Sequence, residues 1–240
     1  MLLRAGKFLI LPVILVGIGA GISYYVVNNP TDIMVERLLT YDKILECLWE
    51  HIVMVFISMI GAIAVGVPAG IMLSRPSFYY PGKVIETLVN IGQTVPSLAV
   101  LALFFTILGM GFNTAVFALW IYSILPILRN TYAGVMSLQP EVIESARGMG
   151  MSPWRILSRI EMPIAYPIII AGIRTAIVVN VGTATLATFI GGGGLGDLIV
   201  TGISVRRDLV IFSGAALSAL LAILLDYIIG RIEKGLVRWN

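Results

Sequence analysis

Residues 51–73, HIVMVFISMIGAIAVGVPAGIML, run for 23 positions without an aspartate, glutamate, lysine or arginine. About 20 apolar residues in a helix cross the ~30 Å hydrocarbon core of a bilayer. No water is available there to satisfy a free peptide group, so a lipid-exposed segment of this kind must be helical or part of a closed barrel. Runs of similar length recur at 8–28, 84–108, 113–135, 165–190 and 209–230, each holding at most one charged residue. The chain is 58% hydrophobic and 12% charged, about half the charged share of a soluble domain. These features predict an all-α polytopic membrane protein with about six transmembrane helices. Its 240 residues form one transmembrane domain, 1–240, with no room for a large soluble domain.

The first run follows Arg4 and Lys7, as a signal peptide would. It is longer than the ~7–15 apolar residues of such a peptide and lacks an A-x-A-like cleavage site, so we read it as the first span. Residues 29–50 are polar and mostly acidic. With the N-terminus in the cytoplasm, twelve basic residues fall at cytoplasmic segments and span ends: Arg4, Lys7, Arg75, Lys83, Arg129, Arg147, Arg155, Arg159, Arg174, Arg231, Lys234 and Arg238. Four fall outside: Arg37, Lys43, Arg206 and Arg207. Cytoplasmic loops are enriched in Lys and Arg, so the asymmetry places both termini, and segment 137–164, in the cytoplasm. Prolines at 12, 68, 96, 126 and 167 lie within or at the mouths of spans. GIGAG (17–21) and GVPAG (66–70) carry the G-x-x-x-G spacing that lets membrane helices approach closely.

One segment breaks the apolar character. EVIESARGMGMSPWRILSRIEMPI (141–164) carries Glu141, Glu144, Arg147, Arg155, Arg159 and Glu161. Gln139-Pro140 opens a helix, proline being favoured at the first helical position. Val142, Ala146 and Met149 form an apolar stripe, and the two glutamates of the first turns suit the helix dipole. Gly150 stands where helices end with a residue at positive φ. Ser152-Pro153 then restarts a helix with serine as N-cap. Trp154, Leu157 and Ile160 form a second stripe, and Pro163 closes it. Two capped helices with apolar faces outside the membrane point to a protein-docking surface. Flanking spans and mixed charge argue against DNA, and the net charge of +3 does not call for nucleic acid.

The segment ESARGMGMSPWRILSRIEMP resembles the EAA loop of binding-protein-dependent ABC importer permeases of type I. Glu144, Ser145 and Ala146 match its head, Gly150 its glycine, and Ile160 and Pro163 its tail; Ser145 replaces an alanine and Met162 a leucine. The resemblance implies that 137–164 is the coupling loop and that these six residues present it to a cytoplasmic ATPase. It implies a permease without its own ATPase or cofactor, ATP and Mg being bound by two partner ATPase subunits. Further implied partners are an extracytoplasmic substrate-binding protein, a second permease (identical or similar) and the lipid of a bacterial inner membrane. WEHIVMVFISMIGAIAVGVPAGIMLSR, IGQTVPSLAVLAL and FIGGGGLGDLIVTGI look like the osmoprotectant branch, whose substrates include glycine betaine, choline and carnitine. A methionine-type or other small-solute permease is the alternative.

Other constellations are weaker. GGGGLG (191–196) satisfies G-x-G-x-x-G only formally, without a βαβ setting, and no G-x-x-x-x-G-K-[ST] occurs, so no nucleotide site is expected. We read it as a flexible external turn before a short re-entrant or interfacial helix at about 196–204. One histidine, His51, and one cysteine, Cys47, offer neither a metal cluster nor a catalytic constellation. An ion-coupled carrier would call for an ionisable group near the midplane. Midspan positions instead offer neutral polar groups, Gln93, Thr94, Ser97, Asn180, Thr183 and Thr185, suited to a translocation path or to interhelical hydrogen bonds. Trp120 and Tyr122 are two aromatics in the fourth span, too few and too poorly placed for a cation cage. Trp49, Tyr24, Tyr25, Tyr41 and Tyr79 suit the membrane interfaces. His51 has no assignable role from sequence.

Overall fold

A computed structural model describes residues 2–236, with side chains from 9 to 233 except Tyr79. The termini, with Arg238 and the side chains of Arg4, Lys7 and Lys234, lie outside the described residues. Every regular element among the described residues is helical. The α-helices are α1 (Leu2–Asn28), α2 (Ile33–Leu38), α3 (Tyr41–Leu73), α4 (Tyr79–Gly92), α5 (Ser97–Leu108), α6 (Phe112–Met136), α7 (Pro140–Gly148), α8 (Pro153–Ile156), α9 (Met162–Ala184), α10 (Leu195–Val205) and α11 (Asp208–Leu236). Five helical stretches among the described residues are long and apolar enough to cross a membrane, six if the bent pair α4–α5 counts as one.

Three spans depart from the sequence expectation, the fifth by starting at Pro153. The helix expected at 51–73 begins ten residues earlier, at Tyr41. Thr40 caps it, its hydroxyl accepting from the Lys43 amide at 3.2 Å. Ile44, Cys47, His51, Met54 and Val55 form one buried stripe, so the exposed Asp42 and Glu46 lie off that face and do not end the helix. The run 84–108 is not one straight span: α4 and α5 meet at 98°. Pro96 lacks an amide proton and disfavours helical backbone at Val95, and the freed groups close as short turns, Thr94 N to Ile91 O at 2.9 Å and Val95 N to Gly92 O at 3.2 Å.

The bundle is centred on α3, α6 and α9. Lipid is as apolar as leucine, so such helices associate through close packing and polar contacts. Gly66 and Gly70 of α3 lie against Ile127, Leu128 and Thr131 of α6, where a methyl group would collide at 2.6–2.9 Å. The G-x-x-x-G of α1 does no such work: Gly17 and Gly21 have nothing within 4 Å of the position a Cβ would take. At the heart of the bundle the Asn180 amide donates to Ser58 Oγ at 2.9 Å and Ser123 Oγ at 2.6 Å, joining α9 to α3 and α6.

The bundle has two distinct ends. At the upper end lie α2, the residues between α5 and α6, the glycine-rich loop 191–194 and α10; Gly111 N bonds Ile190 O there at 2.8 Å. At the lower end lie the α3–α4 turn, α7 and α8. The α8–α9 segment enters the bundle without interruption, because a π-helical turn at Leu157–Glu161 joins α8 to α9. Pro163 therefore does not close the helix. It sits in the first turn of α9, where its missing amide removes little, and wider π turns absorb irregularities inside otherwise continuous helices.

Candidate functional site

The lower-end segment is a helix, a glycine turn and a helix. α7 starts with Gln139 as N-cap and Pro140 at the first position. It ends in a reciprocal backbone motif: Gly150 N bonds Arg147 O at 2.9 Å and Met151 N bonds Ala146 O at 3.2 Å. That pairing consumes two orphan carbonyls and needs a left-handed residue between them. Gly150 supplies it with φ +75°, and a Cβ there would meet nothing within 4 Å, so glycine is required for conformation and not for space.

α8 begins at Pro153 with Ser152 in N-cap geometry, but the serine hydroxyl makes no capping bond; the cap expected from sequence is positional only.

The side chains divide cleanly. Ala146 is buried and pins α7 to the bundle, while Glu144, Ser145 and Arg147 are exposed. Ser145 Oγ donates back to Glu141 O at 2.7 Å. Met149 and Trp154 are 73% and 74% exposed, too much apolar surface for a solvated loop to leave bare. The second stripe is not the one expected: Ile156 is buried, Leu157 and Ile160 are half-buried, and Pro163 is exposed.

Behind α7 lies a cavity of about 500 Å³, walled by the ends of α3 and α6, by Ile143, Glu144 and Arg147 of α7, and by Glu161. Arg75, just past α3, grips the buried Glu161 with two bonds, Nη1 to Oε1 at 3.0 Å and Nη2 to Oε2 at 2.5 Å. Its Nε donates to Ile71 O at 3.1 Å.

The candidate path residues fall in two places. Gln93, Thr94 and Ser97 gather at the α4–α5 break, level with the middle of α6, since Gly92 packs against Leu125. Thr94 is exposed, with Gln93 and Ser97 half-buried. Asn180 and Thr183 are buried instead, and the bonds of Asn180 to Ser58 and Ser123 make it an interhelical clamp. Thr185 Oγ1 donates to Gly182 O at 2.7 Å. Trp120 is not paired with Tyr122: it lies against Phe117, ring centroids 5.3 Å apart and planes tilted by 50°, and covers Gly61, where a Cβ would lie 2.7 Å from its ring. Phe117 in turn meets Phe104 edge-on at 5.1 Å.

At the upper end the glycine-rich loop is tightly packed, not a flexible turn. Gly191, Gly193 and Gly194 adopt positive φ. Glu50 Oε2 accepts from Gly194 N at 2.9 Å. His51, fully buried, sits against Gly194 and has Nε2 3.1 Å from Val181 O. Donating there fixes the tautomer with the proton on Nε2 and ties α3 to α9. Sequence reasoning missed this role, and also Glu50 and the Arg75–Glu161 pair; their partners lie 130, 144 and 86 residues away along the chain, beyond any local pattern.

Residues 66–238 match the family described as "Binding-protein-dependent transport system inner membrane component". The carnitine transport permease protein OpuCD of Listeria monocytogenes is 42% identical over 194 residues, 80% of this chain and 86% of that protein. The glycine betaine/carnitine/choline transport system permease protein OpuCB of Bacillus subtilis is 45% identical over 185 residues, 77% and 84%. The osmoprotectant import permease protein OsmY of Salmonella typhimurium is 44% identical over 187 residues, 78% and 79%. Among solved structures, the inward-facing MetNI methionine ABC transporter aligns with a TM-score of 0.73 at 22% identity, over 81% of this chain and 96% of that one. A bacterial alginate ABC transporter aligns at 0.57 and 16% identity over 99% and 94%.

Proposed function

The chain belongs to the binding-protein-dependent transport inner-membrane family, and on that premise we propose that it forms, with a second permease, the passage for a quaternary-ammonium compatible solute such as glycine betaine, choline or carnitine. It is a permease subunit of an ABC importer. Of the relatives at 42–45% identity over about four fifths of the chain, two are named for these solutes and one for osmoprotectants, and that observation carries the substrate class. The fold likeness to the methionine transporter, at 22% identity, says nothing of methionine.

Two ATPase subunits, which bind ATP and Mg, dock on α7 and α8 from the cytoplasm. The exposed Met149 and Trp154, framed by Glu144 and Arg147, supply the apolar anchors and charged rim that a protein interface needs. A substrate-loaded binding protein delivers solute at the upper end. This orientation, with both termini cytoplasmic, agrees with the distribution of Lys and Arg. The passage runs past the α4–α5 break. Irregular backbone at membrane depth persists only where protein buries it or where it borders a water-filled cavity, and Thr94 is open on the surface of the single chain. Neutral polar groups there wet a cation's route without trapping it.

The test is uptake in a host lacking its own betaine, choline and carnitine import, expressing this chain with its ATPase and binding protein. Radiolabelled uptake of at least one of the three solutes, dependent on ATP, is the expected result. Uptake of methionine alone would overturn the substrate assignment.

A further inference from the structure

We propose that the Arg75–Glu161 ion pair is a coupling strut: it makes α3 move together with the ATPase-docking segment, so that docking motions reach α3 directly, besides the backbone routes into α6 and α9. The inference rests on reading 137–164 as the docking surface.

Glu161 ends the π turn at the start of α9, so a displacement of α8 passes through it into that helix. Glu161 is only 7% exposed. A buried carboxylate is tolerated when paired and hydrogen-bonded, and stranding it is costly. Arg75 meets that need with a two-pronged grip, the geometry that fixes direction as well as distance. The same guanidinium donates to Ile71 O, one of the last carbonyls of α3, where a cation is favoured by the helix dipole. One side chain thus binds the end of α3 to the start of α9.

The cavity gives the pair its mechanical meaning. Ile143, Glu144 and Arg147 of α7 face the ends of α3 and α6 across about 500 Å³ of space. Close-packed helices would carry a push directly; a void does not, because its walls lack contacting atoms. The ion pair therefore gives the docking segment a direct link to α3, while α6 and α9 receive its motion along the backbone. Higher in the bundle α3, α6 and α9 are clamped by Asn180, Ser58 and Ser123. A lower strut and an upper clamp together let α3 and α9 move as one body. Arg75 and Glu161 are positioning residues, touching neither solute nor nucleotide.

The test uses the complete complex of permease, ATPase and binding protein reconstituted in liposomes. The variants are Arg75→Gln, Glu161→Gln and the double variant. The readouts are ATPase co-purification, basal ATP hydrolysis, hydrolysis stimulated by loaded binding protein, and solute imported per ATP. Each single variant should keep ATPase binding and basal hydrolysis within about twofold. Each should lose about tenfold in stimulation and in solute per ATP, the scale of a typical coupling free energy. The double variant should be no worse than the worse single one, because both remove the same link. A purely structural role would lower yield and all activities together and leave solute per ATP unchanged. Additive losses, stimulation within twofold of wild type, or loss of ATPase binding itself would overturn the strut. Should a Gln variant fail to insert, Arg75→Lys keeps the charge with a single contact. An intermediate loss of solute per ATP then supports the strut, and wild-type coupling refutes it. If the wild-type complex shows no stimulation, the docking reading fails first. If wild type is stimulated and the variants match it, only the strut fails.

Discussion

Glycine does opposite work at the two ends of this bundle. At the upper end Gly192 and Gly196 are needed because no Cβ would fit: at Gly196 it would stand 2.0 Å from the Thr185 carbonyl oxygen, and at Gly192 2.9 Å from that of Ala187. At the lower end Gly150 is needed only for its φ of +75°, with nothing within 4 Å of the missing side chain. The upper glycines bring backbones together and weld α9 and α10 onto α3, with Glu50 and His51 as rivets. The lower glycine aims two short helices outward and leaves their apolar faces uncovered. The upper loop is closed on its own backbone; the lower helices leave Met149 and Trp154 bare.

Substitutions separate the two cases sharply. The largest effect is expected from Gly196→Ala. The obstacle is backbone, which cannot rotate away as a side-chain tip can, so the cost should exceed the ~1–3 kcal/mol of ordinary overpacking. Detergent-purified protein should show a collapsed monodisperse peak and a sharply lowered melting temperature. A stable Gly196→Ala protein would mean that the upper loop is not closed against α9, and the contrast between the ends would vanish.

His51→Ala should come next, destabilising the fold by about 2 kcal/mol through lost packing and a lost buried hydrogen bond. Thermal unfolding measures it. ATPase co-purification should be unchanged, since the lower end is untouched; a loss of binding would show that the two ends are not independent.

Gly150→Val probes the lower end. Left-handed backbone costs a non-glycine residue about 1–2 kcal/mol, more with a β-branch. Because the site is open, insertion and melting temperature should stay near wild type, while transport and stimulated ATP hydrolysis fall with the misdirected helices. Gly150→Ala should be milder. Reconstituted transport, with co-purification of the ATPase, is the measurement. Wild-type transport by Gly150→Val would reduce the segment to a passive connection.

The lower end was the more legible of the two, for a physical reason. Its geometry is local: Gln139-Pro140, Gly150 and Ser152-Pro153 are turn chemistry readable within a few residues, and the left-handed glycine is where that chemistry puts it. The long apolar stretches are legible too, since bilayer thickness imposes them. What escaped is what depends on partners far along the chain or on a break hidden by averaging. Gln93-Thr94-Val95-Pro96 sits inside a run apolar enough to read as one span, yet the chain turns through 98° there. GGGGLG reads as slack because glycine is permissive; only contact with Thr185, Ala187 and His51 shows it to be tight. G-x-x-x-G was equally ambiguous, close-packed in α3 and idle in α1.

The smallest effect belongs to Asp32, also at the upper end but on its surface. Its carboxylate caps α2, accepting from Met34 N at 2.8 Å and Val35 N at 3.0 Å. Arg207 Nε lies 2.5 Å from the second oxygen, yet without the alignment of a hydrogen bond, so that contact is charge proximity. Arg207 follows Arg206, whose φ of 54° makes it the one non-glycine residue in left-handed backbone among those described. The Val35 amide first, then Arg207, hold the Asp32 carboxyl below the ordinary carboxylate range. A carboxylate whose folded pKa is lowered stabilises the fold above its unfolded pKa, about 3.9, and that contribution drains away as pH falls through the folded value. Nothing should change between neutral pH and pH 5. Below pH 4 the amides of Met34 and Val35 should exchange faster with deuterium, while those of α3 and α9 stay protected. Asparagine caps nearly as well as aspartate and does not titrate, so Asp32→Asn should match wild type at pH 7 and lose the acid step in α2. If Asp32→Asn instead loosened α3 or the glycine loop, α2 would be part of the weld, and the boundary between finished core and surface at this end would have to be redrawn outward.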